Sequence, residues 1–227
     1  DRRCFAFCHP ALPGEPLIFL EVALVHGMAR EIPPLLDLAA PVLDPGEANA
    51  AIFYSINNTQ RGLRGLSFGN FLIKQVLVEL SAELPQLRTF ATLSPLPGFA
   101  ALLRTAVEGK DAVFTAERVD ALLDDVREPL SAAAGVERAG QAMLALLERG
   151  DAVDHALLAE PLERLALAYL KLLPREHDGF DPVAAFHLSN GARLERINHF
   201  ADPAPRTRHT SSGVMVKYLY EPDEVVR

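Results

Sequence analysis

Apolar residues in this chain change their spacing several times, and each change marks a different element. Residues 15–24, EPLIFLEVAL, are apolar and β-branched behind a Pro-Gly turn, which predicts a strand. Residues 31–49 hold five prolines and glycines and predict an irregular connection around a short LLDLAA piece. AIFYSIN (51–57) predicts a second, aromatic and β-branched strand. From Leu66 to Leu84, apolar residues recur at steps of three and four (Phe68, Phe71, Leu72, Val76, Leu80, Leu84), an amphipathic helix that Pro85 stops. LRTFATL (87–93) reads as a third strand and runs directly into SPLPGF.

From about 99 to 173 the pattern is helical throughout, in FAALLRTAV, TAERVDALLDDV, VERAGQAMLALLERG and HALLAEPLERLALAYLKLL. Their Ala/Leu stripes, with Glu and Arg between, read as core-facing helices rather than a ligand-binding sequence. DGFDPVAAFHLSNGARLERIN changes the texture. Asp181 suits an N-cap, Pro182 a first helical position, and Gly191 the left-handed residue that ends a helix. A hairpin turn at Asn190-Gly191 is the competing reading. The helix is preferred because three signals agree. ARLERIN and SGVMVKYLY (212–220) then predict closing strands. The order of strands and helices gives an α/β fold with helical material inserted between the third strand and the C-terminal helix–strand segment.

Composition narrows the class. The chain has 227 residues, 49% of them hydrophobic and 23% charged, enough for one sizeable core and too apolar for disorder. No apolar run is long enough for a bilayer, and Arg2 and Arg3 precede no signal-like segment. The expectation is therefore a cytoplasmic protein with no membrane partner; a mitochondrial one is the alternative should a segment precede Asp1. A net charge of -8 argues against nucleic acid but permits a small anion held by local donors. Cys4, Cys8 and His9 supply at most three zinc ligands, and in an extended chain residues four apart lie about 13 Å from each other. No metal is expected, and the cysteines read as reduced, partly buried thiols.

The candidate chemistry begins at QRGLRG, residues 60–65, between the second strand and the first long helix. A helix start leaves four N–H groups without backbone partners, and glycines let an anion approach them. Arg61 or Arg64 would add charge-assisted donors. Neither the dinucleotide fingerprint nor the P-loop matches, and a wet surface turn is the plain alternative. In this position the segment resembles the pyrophosphate loop of the GNAT acyltransferase superfamily, whose ligand is coenzyme A. Gln60 and Gly65 fall on the first and sixth positions of that pattern; Leu63 stands where a glycine is expected, with Gly62 one place early.

The resemblance then widens. HPALPGEPLIFLEVAL, AIFYSINNTQRGLRGLSFGNFLIKQV, TFATLSPLPGF, DPVAAFHLSNGARLERIN and SSGVMVKYLY together resemble, in order and over nearly the whole chain, the catalytic domain of the malonyl-CoA decarboxylase family. The departures are His199, where Trp is usual, and Lys217, where Asn is usual. The resemblance implies a single GNAT-like catalytic domain over residues 1–227, a mixed sheet flanked by helices with a helical insertion at about 99–173. The sequence starts where the family's catalytic domain would, so the expectation is that the family's N-terminal helical domain, involved in oligomer formation, is absent from it.

The activity so implied converts malonyl-CoA to acetyl-CoA and carbon dioxide, with an enolate formed and protonated at carbon. Coenzyme A belongs to the substrate, the thioester is the electron sink, and no cofactor is expected. By its sequence alone, Ser94 is a serine bonding its own backbone in a Pro-rich turn, and His187 a half-buried helical histidine. The resemblance places both on catalytic positions, with Ser55 and Tyr220 as further candidates. It gives the ligand's phosphates to the backbone of Arg64, Gly65, Leu66, Ser67, Phe68, Gly69 and Asn70. An N-acyltransferase of GNAT type is the alternative function. A serine hydrolase built on Ser94, His187 and Asp181 lacks a G-x-S-x-G elbow, and Asp181 is better used as a cap. The third rival is a non-catalytic scaffold binding through its helices.

Overall fold

Alternation along the first residues sets the sheet. In the computed structural model, which describes residues 1–63, 68–150, 154–176 and 181–221, β1 (Arg2–Cys8) alternates exposed and half-buried positions. Cys4 and Cys8 fall on its exposed positions, which corrects the expectation of partly buried thiols: residues four apart on a strand share a face, and here that face is solvated. β2 (Pro16–Val25) and β3 (Ala50–Asn58) lie where strands are predicted, and a short helix α1 (Pro33–Leu36) sits in the irregular connection between them. The other strands are β4 (Thr89–Thr92), the two-residue β5 (Ser94–Pro95), β6 (Arg193–Asn198) and β7 (Met215–Tyr220). They form one seven-stranded sheet in the order β1-β2-β3-β4-β7-β5, with β6 also pairing β7.

The chain divides into two compact units, the first made of Asp1–Ser94, Phe186–Arg196 and Val216–Arg227. Within it β1, β2 and β3 pair antiparallel, whereas β3 and β4 run parallel from Ala50↔Thr89 to Phe53↔Thr92. A parallel pair needs a crossover, and α2 (Phe68–Glu83) supplies it. Leu72, Ile73, Val76, Leu77 and Leu80 of α2 are buried along with Ile18, Leu20 and Ile52, each such side chain stabilising the fold by about 1.5–3 kcal/mol. Phe71, counted on the apolar face by its spacing, is 66% exposed; the stripe through 72, 73, 76, 77 and 80 turns it outward.

The second unit comprises Pro95–Ala185 and Ile197–Met215. It holds α3 (Phe99–Val107), α4 (Ala116–Leu122), α5 (Arg127–Ala134), α6 (Ala139–Glu148) and α7 (His155–Glu176), packed around Phe99, Leu103, Phe114, Val119, Met143 and Leu162. The helix α9 (Pro205–Ser211) was not predicted, since PRTRHTS carries no apolar period. Two carboxylates tie this unit together. Asp120 accepts from the Gly140 N–H at 2.9 Å and the Arg138 guanidinium at 2.8 Å. Asp181, 1% exposed, accepts four bonds: from Gly98 N–H (3.2 Å), Tyr169 O–H (3.0 Å), Val183 N–H (3.0 Å) and Ala184 N–H (3.1 Å).

The last two are the predicted cap of helix α8 (Pro182–Ser189). Its other end closes as expected, with Gly191 at φ +83° and the Ala192 N–H reaching back to the His187 carbonyl at 3.1 Å. Among the described residues no helix is long and apolar enough to cross a membrane. Asp181→Ala removes all four bonds and leaves the half-buried Gly98 N–H without its acceptor; it should lower unfolding free energy by roughly 3 kcal/mol in urea titrations. Asp181→Asn, whose remaining oxygen still caps α8, should cost about half that.

Candidate active site

Sheets with parallel strands collect ligands at the carboxyl ends of those strands, where the backbone leaves the ladder. In the first unit that place is where β3 and β4 part. Their pairing ends at Phe53↔Thr92, followed by one bond from the Leu93 N–H to the Phe53 carbonyl at 3.0 Å. Beyond it β3 continues to Asn58, while the other strand delivers Ser94. β3 also carries a bulge here: Glu21 faces Ser55 and Val22 faces Phe53, so Tyr54 is the extra residue.

Of the predicted ligand loop, Arg64, Gly65, Leu66 and Ser67 lie outside the described residues, as does the side chain of Arg61. Phe68, Gly69 and Asn70 form the first turn of α2, where helix N–H groups have no intrahelical acceptor. Asn70 Oδ1 is enclosed and has no hydrogen-bond partner among the described residues. Gly69 permits a close approach: a Cβ there would stand 3.1 Å from the Phe186 ring and 3.4 Å from Ile18 Cδ1.

Three of the predicted side chains meet. Ser94 Oγ lies 3.0 Å from His187 Nε2, and Tyr220 Oη lies 2.8 Å from His187 Nδ1. All three are buried, at 8%, 3% and 1% exposure, with Ser94 the nearest to solvent. Burial alone pushes the His187 imidazole down from its ordinary 6.5 to about 3 and the Tyr220 phenol upward, so both are neutral in the free protein. A buried phenol O–H needs an acceptor, and among the described residues Nδ1 is the one within reach; Tyr220 therefore donates to Nδ1. That fixes the tautomer with hydrogen on Nε2, which donates to Ser94 Oγ. The Ser94 hydroxyl hydrogen is left over, able to donate to an oxygen brought into the site.

Ser55 is not part of this group. It is half-buried on β3 and accepts from Asn57 Nδ2 at 2.9 Å, with no hydrogen bond to the other three among the described residues. The sequence reading passed over Tyr218, whose ring stacks on His187 with centroids 4.7 Å apart and planes 24° apart. The available signal was strand period: Tyr218 and Tyr220, two apart on β7, must share a face. Lys217, between them, points the other way; it is 1% exposed, its ammonium donates to the Ala29 carbonyl, and burial pushes its pKa down. Among the described residues, no group of three or more His, Cys, Asp or Glu is placed to hold a metal ion.

A profile of the malonyl-CoA decarboxylase C-terminal domain matches residues 1–227. The chain belongs to the malonyl-CoA decarboxylase family. It is 38% identical to the mitochondrial malonyl-CoA decarboxylase of Mus musculus over 98% of its own length and 46% of that protein's. The crystal structure of malonyl-CoA decarboxylase from Cupriavidus metallidurans is 44% identical and superposes with a TM-score of 0.77, over 100% of this chain and 53% of that one. The chain thus spans about half the length of these relatives. A more distant structure, the GNAT-like decarboxylase GphF in complex with isobutyryl-CoA, is 17% identical with a TM-score of 0.52 over 96% of this chain and 77% of that one. That likeness extends to the fold alone, and it bears out the GNAT-like mixed sheet expected from the sequence.

The neutral imidazole has a consequence for stability. The unfolded chain binds a proton at His187 below 6.5, while the native chain declines it down to about 3. The contribution is complete above the first value and is lost as pH falls toward the second, at about 1.4 kcal/mol per pH unit. His187→Gln should flatten the slope of unfolding free energy against pH by that amount between roughly pH 6 and 4. Equal slopes in urea titrations would mean that the native imidazole is protonated.

Proposed function

We propose that this chain carries the decarboxylating site of a malonyl-CoA decarboxylase, releasing carbon dioxide from malonyl-CoA and leaving acetyl-CoA. The strongest support is the meeting of Ser94, His187 and Tyr220 beside the carboxyl ends of β3 and β4, in a chain of this family. Loss of carbon dioxide leaves the bonding pair on the α-carbon, delocalised into the thioester as an enolate. A donor aimed at that oxygen is typically worth about 3 kcal/mol. The spare hydroxyl hydrogen of Ser94 suits this, or the malonyl carboxylate before it departs. The thioester is itself the electron sink, so the proposal needs no metal or organic cofactor.

The carbanion then needs a proton, and His187 is the proposed donor. It is neutral while the site is empty, but an anionic acyl group beside Nε2 supplies the opposite charge and draws its pKa upward. The imidazolium forms by taking up a proton from solvent at Nδ1, where the Tyr220 phenol turns from donor to acceptor. It then gives its Nε2 proton to carbon and is left neutral with hydrogen on Nδ1. The first turn of α2, with the loop from Arg64, is the proposed seat of the coenzyme A tail. Asn70 Oδ1 there suits an amide N–H of the pantetheine arm better than a phosphate, because an acceptor repels phosphate oxygens. A cytoplasmic setting, and oligomer formation through an N-terminal helical domain, belong to the same proposal.

Purified protein given malonyl-CoA and no acceptor should release acetyl-CoA and carbon dioxide in equal amounts. A requirement for an amine acceptor would point to acyl transfer instead. His187→Ala should reduce turnover roughly a hundredfold or more with little change in KM. Arg64→Ala should chiefly raise KM. Calorimetric binding of a non-reactive malonyl-CoA analogue, compared across buffers at neutral pH, should register uptake of up to about one proton, absent in His187→Gln. No uptake by the unaltered protein would remove the imidazolium from the mechanism.

A further inference from the structure

We infer that Tyr218 is a positioning residue for His187: its ring is the flat support that fixes the imidazole plane and steadies the charge arising on it during turnover. The role during turnover rests on the proposed function; the geometry around the imidazole does not. Imidazole is attached by a single torsion that can swing its plane, and its two nitrogens point to opposite sides. A large rotation therefore breaks both hydrogen bonds at once, the one to Ser94 and the one to Tyr220, whereas a small tilt only lengthens and bends them. Hydrogen bonds in the ring plane do little to resist tilting; a surface against the face does.

Tyr218 is that surface, at 4.7 Å and 24°, while Phe186 (5.1 Å, 78°) and Tyr220 (6.0 Å, 74°) meet the ring edge-on. The support is itself anchored. Tyr218 is fully buried, and its backbone N–H donates to Thr92 Oγ1 at 3.2 Å. Thr92, also fully buried, stands two residues before Ser94 at the end of β4. The ladder Phe90↔Tyr220 and Ala91↔Leu219 continues in this way, a threonine side chain holding Tyr218 where the next pair would fall. One side-chain bond thus joins the plate under the imidazole to the strand that presents its serine partner. The face of an aromatic ring also attracts a cation, so the same contact favours imidazolium over imidazole.

The test compares Tyr218→Phe, which keeps the ring, with Tyr218→Leu, which removes it. Turnover of malonyl-CoA and the ¹⁵N resonances of His187 are measured in both, the latter assigned by their loss in His187→Gln. Phe should keep kcat within about threefold and leave the nitrogen shifts of a single Nε2–H tautomer in place. Leu should lower kcat roughly tenfold or more, with KM within about twofold, and spread the shifts toward a mixture of tautomers. Should Leu fail to fold, Thr92→Val, which removes only the anchor of Tyr218, should produce the same shift pattern in milder form. Wild-type nitrogen shifts in the Leu or Val variant, or a Phe variant as impaired as Leu, would overturn the inference. The nitrogen shifts need no substrate, so they decide the role of Tyr218 even if malonyl-CoA proves not to be decarboxylated.

Discussion

A histidine sealed from water must find a partner for each ring nitrogen, and the first unit is arranged so that His187 finds two. Leaving either nitrogen bare would cost on the order of 1–3 kcal/mol, a sizeable part of the stability of an ordinary domain. The two partners come from the ends of different strands, Ser94 after β4 and Tyr220 at the close of β7. The helix between them in sequence is fixed at both termini, by Asp181 at its start and by a left-handed Gly191 at its finish. A ring so constrained has one tautomer and one orientation. The spare hydrogen of Ser94 is the consequence, because every other polar hydrogen in the group is already used.

The surroundings determine what that hydrogen can serve. β3 and β4 cease to pair just short of Ser94, and α2 begins where β3 has ended. Charge at the site is therefore governed by N–H groups and by a buried histidine that is neutral in the free protein, not by the chain's net charge of -8. Acidic residues spread over a surface are screened within about a Debye length, whereas donors within a few ångströms are not. An acidic protein is thus compatible with the anionic substrate proposed for it.

Most of the sheet and helix order was legible because it follows from short-range rules. β2, β3 and α2 announced themselves by period, and α8 by its cap, proline and glycine. Where period failed, so did the reading: α9 has none, and Phe71 has the right spacing but sits at the margin of the stripe. Cys4 and Cys8 were misjudged because burial of a strand face depends on what packs against it, which no local pattern records. In the site, resemblance brought forward Ser94, His187 and Tyr220, yet nothing local to any of them gives their separations. Residue 94 and residue 187 meet only through the fold. Tyr218 was missed because an aromatic residue on a strand is ordinarily core, and its stacking partner lies 31 residues away, as the difference of the two numbers gives. Ser55, matched by resemblance, stands apart from the hydrogen-bonded group.

The missing side chain at position 69 has its own implication. The ring of Phe186 crowds the space in which a methyl group would stand, so α2 and the histidine-bearing helix α8 touch with no slack between them. Positions 69 and 186 are consequently coupled by size. A methyl group at 69 requires the Phe186 ring to give by a few tenths of an ångström, and anything larger requires a smaller residue at 186 or a wider spacing of the two helices.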